Sequence, residues 1–114
     1  MGFNKPSKID LDNLLKEYQN NNHELAEKLA LSIIKEFPNH QFSWKVIGAV
    51  YKKTGKFKES ILANKNAIKL VPNDPSAHNN LGITLRDFGK LEEAEESLRM
   101  AINLKPIMLK HIII

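Results

Sequence analysis

An interval of 34 residues constrains this chain more than any other feature. From Ser76 to Pro106 it reads SAHNNLGITLRDFGKLEEAEESLRMAINLKP. An apolar pattern of helical period runs through Leu81, Leu85 and Phe88 and breaks at Gly89. A second runs through Leu91, Ala94, Leu98, Ala101, Ile102 and Leu104 and stops at Pro106. This spacing predicts two amphipathic helices joined by a tight glycine turn. One step back of 34 residues sets Gly82 on Gly48, Leu85 on Tyr51, Gly89 on Gly55, Leu91 on Phe57, Ala101 on Ala67, Ile102 on Ile68 and Pro106 on Pro72. A second step carries Ala94 to Ala26, Ile102 to Ile34 and Pro106 to Pro38. A single helix pair cannot hide its own apolar stripe, so pairs recurring at this interval stack into a solenoid.

The residues at fixed places in each unit carry a resemblance. Trp44, Ile47, Gly48, Tyr51, Ala67 and Pro72 resemble the tetratricopeptide repeat (TPR) pattern, and Leu81, Gly82, Leu85, Ala94, Leu98, Ala101 and Pro106 resemble it again. The resemblance covers roughly residues 9 to 106. It implies an all-α, right-handed α-solenoid of about three helix-turn-helix repeats, near 7–40, 41–74 and 75–106. Residues 1–8 are expected to form a disordered N-terminus, with Gly2, Pro6 and Ser7 as breakers.

Along the chain, Ile9, Leu11, Leu14, Leu15 and Tyr18 form the first helical stripe. Asn20, Asn21 and Asn22 stand where the later units place glycine, and asparagine tolerates the left-handed conformation. The next helix is expected from Glu24 to Phe37, burying Leu25, Ala26, Leu29, Ala30, Ile33 and Ile34. The helices of the second unit are expected near 41–53 and 57–70, and those of the third near 75–87 and 91–104. Gly55 and Gly89 suit left-handed caps, and Asp74-Pro75 pairs a capping side chain with proline at the first helical position.

The tail from Ile107 to Ile114, IMLKHIII, departs from this pattern. One nucleotide inserted after the Pro106 codon would allow a reading resembling Asn73-Asp74-Pro75-Ser76-Ala77-His78-Asn79-Asn80. The tail is therefore read either as a frameshifted start of a fourth repeat or as a native apolar cover for the last helix. On both readings the last helix lacks its usual neighbour, so homo-oligomer formation through the C-terminal helix and tail is expected.

Composition narrows the chemistry. At 114 residues there is room for one small domain. Without cysteine there is no disulfide, thiolate metal ligand or cysteine nucleophile. His23, His40, His78 and His111 are scattered, with no triad or metal-ligand spacing, and the glycines are accounted for by packing and turns. No catalytic residue, metal or cofactor is expected. The apolar runs are too short to span a bilayer, so no membrane partner is expected and a cytoplasmic location is. The net charge of +4 is concentrated in residues 41–72, where seven lysines face Glu59 alone. No aromatics interleave with Lys52, Lys53, Lys56 and Lys58 to stack bases, so no nucleic acid partner is expected.

The resemblance places a peptide-binding groove on the first helices of successive units. It points to Phe42, Lys45, Val46, Ala49, Lys52 and Lys53 in the second and to Ser76, Asn79, Asn80, Ile83, Arg86 and Asp87 in the third. The peptide-binding set singled out is Lys45, Ala49, Lys52, Asn79, Asn80, Ile83 and Arg86. An asparagine at the place of Asn80 hydrogen-bonds the ligand backbone in peptide-binding members of the family, because an amide both donates and accepts. Lys45 and Asn80 fit the two-carboxylate clamp of chaperone-tail binders, but Ala49 replaces an expected asparagine. A non-catalytic protein–protein interaction module is the expectation. The alternative is a truncated substrate-docking fragment of a larger enzyme, such as a glycosyltransferase or sulfotransferase.

Overall fold

The computed structural model describes residues 5–105. Six helices run through them: α1 (Lys8–Gln19), α2 (His23–Glu36), α3 (Gln41–Lys53), α4 (Phe57–Leu70), α5 (Pro75–Phe88) and α6 (Leu91–Asn103). No strand occurs among the described residues. The expected helix stop at Pro106 and the whole tail from Ile107 to Ile114 lie outside them, as do residues 1–4.

Local chemistry sets the helix ends. The Ser7 hydroxyl accepts the Asp10 N–H at 3.1 Å and starts α1, while Asp74 accepts the Ser76 N–H at 3.0 Å and starts α5. Asn21, Gly55 and Gly89 have φ of 61°, 80° and 95°. Each reverses the chain after the first helix of its pair, and the next N–H closes the turn. Asn22 donates to Glu17 at 2.9 Å, Lys56 to Tyr51 at 2.8 Å and Lys90 to Leu85 at 2.9 Å. These are the same helix-ending bonds in three units, with asparagine doing in the first what glycine does in the others.

Each helix packs on its neighbour in chain order, and α3 also touches α5, so the chain builds an all-α solenoid measuring 46 × 33 × 25 Å. Close approach within a pair needs glycine. A Cβ on Gly48 would lie 2.6 Å from Asn64 Oδ1, and one on Gly82 would lie 2.6 Å from Leu98 Cγ. Trp44 and His78 occupy the same place in successive units and do the same work. Trp44 Nε1 donates to the Pro38 carbonyl at 2.8 Å, and His78 Nε2 lies 2.8 Å from the Pro72 carbonyl. A carbonyl only accepts, so His78 carries its proton on Nε2.

The apolar core divides in two. Leu14, Ala26, Ala30, Ile33, Ile34, Val46, Ile47, Val50 and Ala63 form one cluster, with Trp44 and Tyr51 against it. Leu81, Leu85 and Ala94 form the other, joined by Ile61 and Ile68. Where α3, α4 and α5 meet, the buried side chains are Ser60, Asn64 and Thr84 instead.

Several residues of the expected apolar stripes are outside the core. Ile9, Leu15 and Leu25 are exposed, because Leu11, Leu14 and Tyr18 on α1 and Ala26, Ala30 and Ile33 on α2 form the faces that meet. Leu91 and Ile102 are 66% and 61% exposed. Their counterparts one unit earlier, Phe57 and Ile68, are covered by α5: the Phe57 and Phe88 rings lie 6.0 Å apart, and Ile68 packs on the Leu81 cluster. Among the described residues nothing plays the part of α5 for α6.

Candidate functional site

Ala49, Lys52 and Lys53 from α3 and Asn80, Ile83 and Thr84 from α5 face a shared pocket of about 130 Å³. Tyr18 of α1 and Asn64 of α4 complete its lining. The helical spacing of three and four residues brings each set onto one face. Lys53 Nζ stands 4.9 Å from the centre of the Tyr18 ring, a cation–π contact that links the first unit to the second. Lys52 Nζ lies 3.8 Å from Asp87 Oδ2, and Arg86 Nε lies 3.5 Å from Asp87 Oδ1. These are loose, partly exposed pairs, weak in water.

Lys45 sits differently. Its Nζ lies 2.9 Å from Asp74 Oδ2 and also meets Ser76 Oγ. Gln41 Nε2 donates to the same Asp74 oxygen at 2.8 Å. Burial alone would raise the Asp74 pKa. Hydrogen bonds from Gln41, Lys45 and Ser76, with the Lys45 charge, outweigh burial and hold it well below the usual carboxylate range. Lys45 is therefore engaged at the junction of the second and third units.

Behind the pocket is the buried polar layer. Ser60 Oγ donates to the Gly48 carbonyl at 2.7 Å, and Thr84 Oγ1 donates to the Asn80 carbonyl at 2.9 Å. The two hydroxyl oxygens also lie 3.3 Å from each other, where either can donate. Asn64 turns its Nδ2 towards them, at 3.4 Å from Ser60 Oγ and 3.5 Å from Thr84 Oγ1. That leaves Oδ1, on a residue only 1% exposed, with no hydrogen-bond donor.

Of the residues singled out from sequence, Ala49, Lys52, Asn80 and Ile83 converge on the pocket. Asn79 and Arg86 are exposed on α5 outside that lining, and Lys45 is held by Asp74. Tyr18, Asn64 and Thr84 were not among them, and Lys53 stood only in the wider groove list. The repeat register held a signal for Asn64: its counterparts are Ala30 and Leu98, and those of Ser60 are Ala26 and Ala94. Two polar residues four apart thus break an apolar pattern on one helix face. Among the described residues no three His, Cys, Asp or Glu side chains gather as a metal site, and no helix is long and apolar enough to cross a membrane.

The family profile described as TPR repeat matches residues 48–86, and that described as tetratricopeptide repeat matches 75–107, together more than half of the chain. Protein O-mannosyl-transferase TMTC3 of Homo sapiens is 30% identical over 101 residues, which is 88% of this chain and 11% of that protein. Among solved structures, a MamA chain aligns with a TM-score of 0.82 at 24% identity, over 89% of this chain and 58% of that one. The first TPR of Spaghetti (RPAP3), bound to the HSP90 peptide SRMEEVD, aligns at 0.84 and 18% identity, over 92% of this chain and 86% of that one. At these identities the structural likeness is one of fold. Helix-pair geometry, 34-residue register and profile matches agree: the chain belongs to the tetratricopeptide repeat family.

Proposed function

We propose that this chain is a non-catalytic protein–protein interaction module that holds an extended peptide or a partner helix against α3 and α5. The observation that carries this reading is the convergence of Ala49, Lys52, Asn80 and Ile83 on one pocket beside Tyr18. It offers apolar contact, an amide that donates and accepts, and loosely paired cations within a few side chains. The peptide held by RPAP3 within a similar fold supports it. Lys45 serves the junction rather than the ligand, and Asn79 and Arg86 form the outer rim. Selection from a random peptide library on the full chain tests this. Selected peptides are expected to lose at least about tenfold in affinity on Asn80→Ala or Ile83→Arg. Equal binding to both variants contradicts it.

A second reading is supported by the glycosyltransferase-class relative, of which this chain spans 11%. On it, the chain is the docking segment of a larger enzyme. An open frame leading from the gene for this chain into a catalytic domain supports that; a stop codon at its natural end contradicts it.

The α6 end supports self-association. Leu91 and Ile102 present the flank that α5 covers in the preceding unit, so a second copy would bury it. The part expected of the tail lies outside the described residues.

A further inference from the structure

We propose that a second cleft, between α4 and α6, takes the indole side chain of a tryptophan from a partner protein. It shares no residue with the pocket on α3 and α5. Ile68 of α4, His78 and Leu81 of α5 and Met100 of α6 supply its apolar walls, and Lys65, Glu96 and Ser97 its polar lining. Its volume is about 280 Å³.

The preceding unit fills the same place with its own side chain. His78 stands where that unit has Trp44. There the indole packs on the cluster that contains Ile34 and Ile47, and it borders one cavity together with Asn66. Those three residues are the counterparts of Ile68, Leu81 and Met100. Two units thus build similar walls around rings of different size. His78 keeps the anchoring contact, since its Nε2 lies 2.8 Å from the Pro72 carbonyl as Trp44 Nε1 does from that of Pro38. The smaller ring gives up only apolar contact, which stabilises by roughly 25 cal/mol per Å². A departure from the repeat's own pattern that loses packing and opens a cleft is the kind of local exception found at binding sites.

Size and charge name the occupant. At about 30 Å³ for a water molecule, the cleft holds about nine water volumes, enough for one aromatic side chain and too little for a helix. Its mouth is charged where the second unit is apolar: the counterparts of Lys65 and Glu96 are Leu31 and Leu62. Lys65 and Glu96 are exposed, and neither forms an ion pair among the described residues. An ammonium suits the face of an indole, and a carboxylate suits its N–H. The Pro72 carbonyl is already engaged by His78, so Glu96 offers the guest N–H its charged acceptor. An aliphatic side chain meets the walls but uses neither charge. The cleft also stands open, with Met100 46% exposed. Small-molecule sites enclose most of their ligand, so a ring held here arrives on a main chain that stays outside.

The test uses nuclear magnetic resonance on the full chain with ¹³C-labelled methyl groups. It is titrated separately with the N-acetyl N-methylamide derivatives of tryptophan and leucine and with indole. The tryptophan derivative is expected to move the methyl signals of Ile68, Leu81 and Met100. It is expected to bind at least about fivefold more tightly than the leucine derivative. His78→Trp is expected to raise the melting temperature by several degrees and to abolish these shifts, because the chain's own indole then fills the cleft as Trp44 does one unit earlier. Met100→Asp, at an exposed position, is expected to weaken binding at least about fivefold without unfolding the chain. Equal or tighter binding of leucine, shifts that survive His78→Trp, or unchanged binding to Met100→Asp overturns the proposal. Binding of indole with exclusion of the tryptophan derivative overturns it in favour of a small-molecule site. Absence of shifts at the three methyl groups overturns it too, and shifts at Ala49 and Ile83 in their place leave the α3 and α5 groove reading standing alone.

Discussion

Lys45 Nζ and Asp74 Oδ2, 29 residues apart in the chain, lie 2.9 Å from each other and bind the third repeat to the second. Their side chains are 22% and 17% exposed, so the pair is only partly screened by water. Asp74 also caps α5, and Gln41 shares its carboxylate. Removal of this one side chain breaks a cap and a junction together. Asp74→Ala is expected to lower unfolding free energy by about 2 kcal/mol in urea titration, with binding of selected peptides retained once folded.

Acid should undo the same junction. The Asp74 carboxyl in the folded chain titrates below its unfolded value, so the folded state holds fewer protons in that interval. Its stabilisation is complete above the ordinary carboxylate pKa of about 3.9 and fades as pH falls from there towards the lower folded value. Asp74→Asn keeps a capping side chain but has no proton to take up. The stability gap between wild type and Asp74→Asn is expected to be constant near neutrality and to close below about pH 4. A gap that widens on acidification contradicts the assignment.

Gly82 and Leu98 should be energetically coupled. A Cβ at residue 82 meets Leu98 Cγ at 2.6 Å and Cδ2 at 2.7 Å. Overpacking of this kind costs about 1–3 kcal/mol, partly offset by the better helix propensity of alanine. Gly82→Ala is expected to destabilise the chain by about 1 kcal/mol. In a Leu98→Ala background only the Ala94 carbonyl, 3.3 Å from the new Cβ, still crowds it, and the same substitution should cost less. A double-mutant cycle in urea reads the coupling directly.

Ile102 reports on the end of the array. If its exposed flank joins two copies, sedimentation of the full chain should show association that rises with concentration. Ile102→Asp is expected to weaken that association while leaving unfolding free energy within about 0.5 kcal/mol, because the residue touches little within its own chain. A wild-type chain that stays monomeric at high concentration contradicts it.

Much of the architecture was legible in the sequence because identical local chemistry recurs every 34 residues. The turns at Gly55 and Gly89, the cap at Asp74 and the asparagine turn at Asn21 follow from backbone preference alone. The uncovered flank of α6, with Leu91 and Ile102 exposed, was legible too, because the repeat pattern stops at Pro106. Lys45 shared the face spacing of groove residues, and nothing local indicates that Asp74, beyond the next helix, captures it. Asn64 was hidden for a different reason. Its polar character was visible in the register, but that its Oδ1 is buried without a donor emerges only in three dimensions.

Mapping a library-selected peptide on the ¹⁵N-labelled chain tests the binding role most directly. Occupation of the groove predicts chemical-shift changes concentrated at Ala49, Lys52, Asn80 and Ile83, with the outward residues Leu25, Leu31 and Leu62 unmoved. Changes centred on those outward leucines, with the α3 and α5 residues silent, would place recognition on the opposite surface and contradict the proposed function.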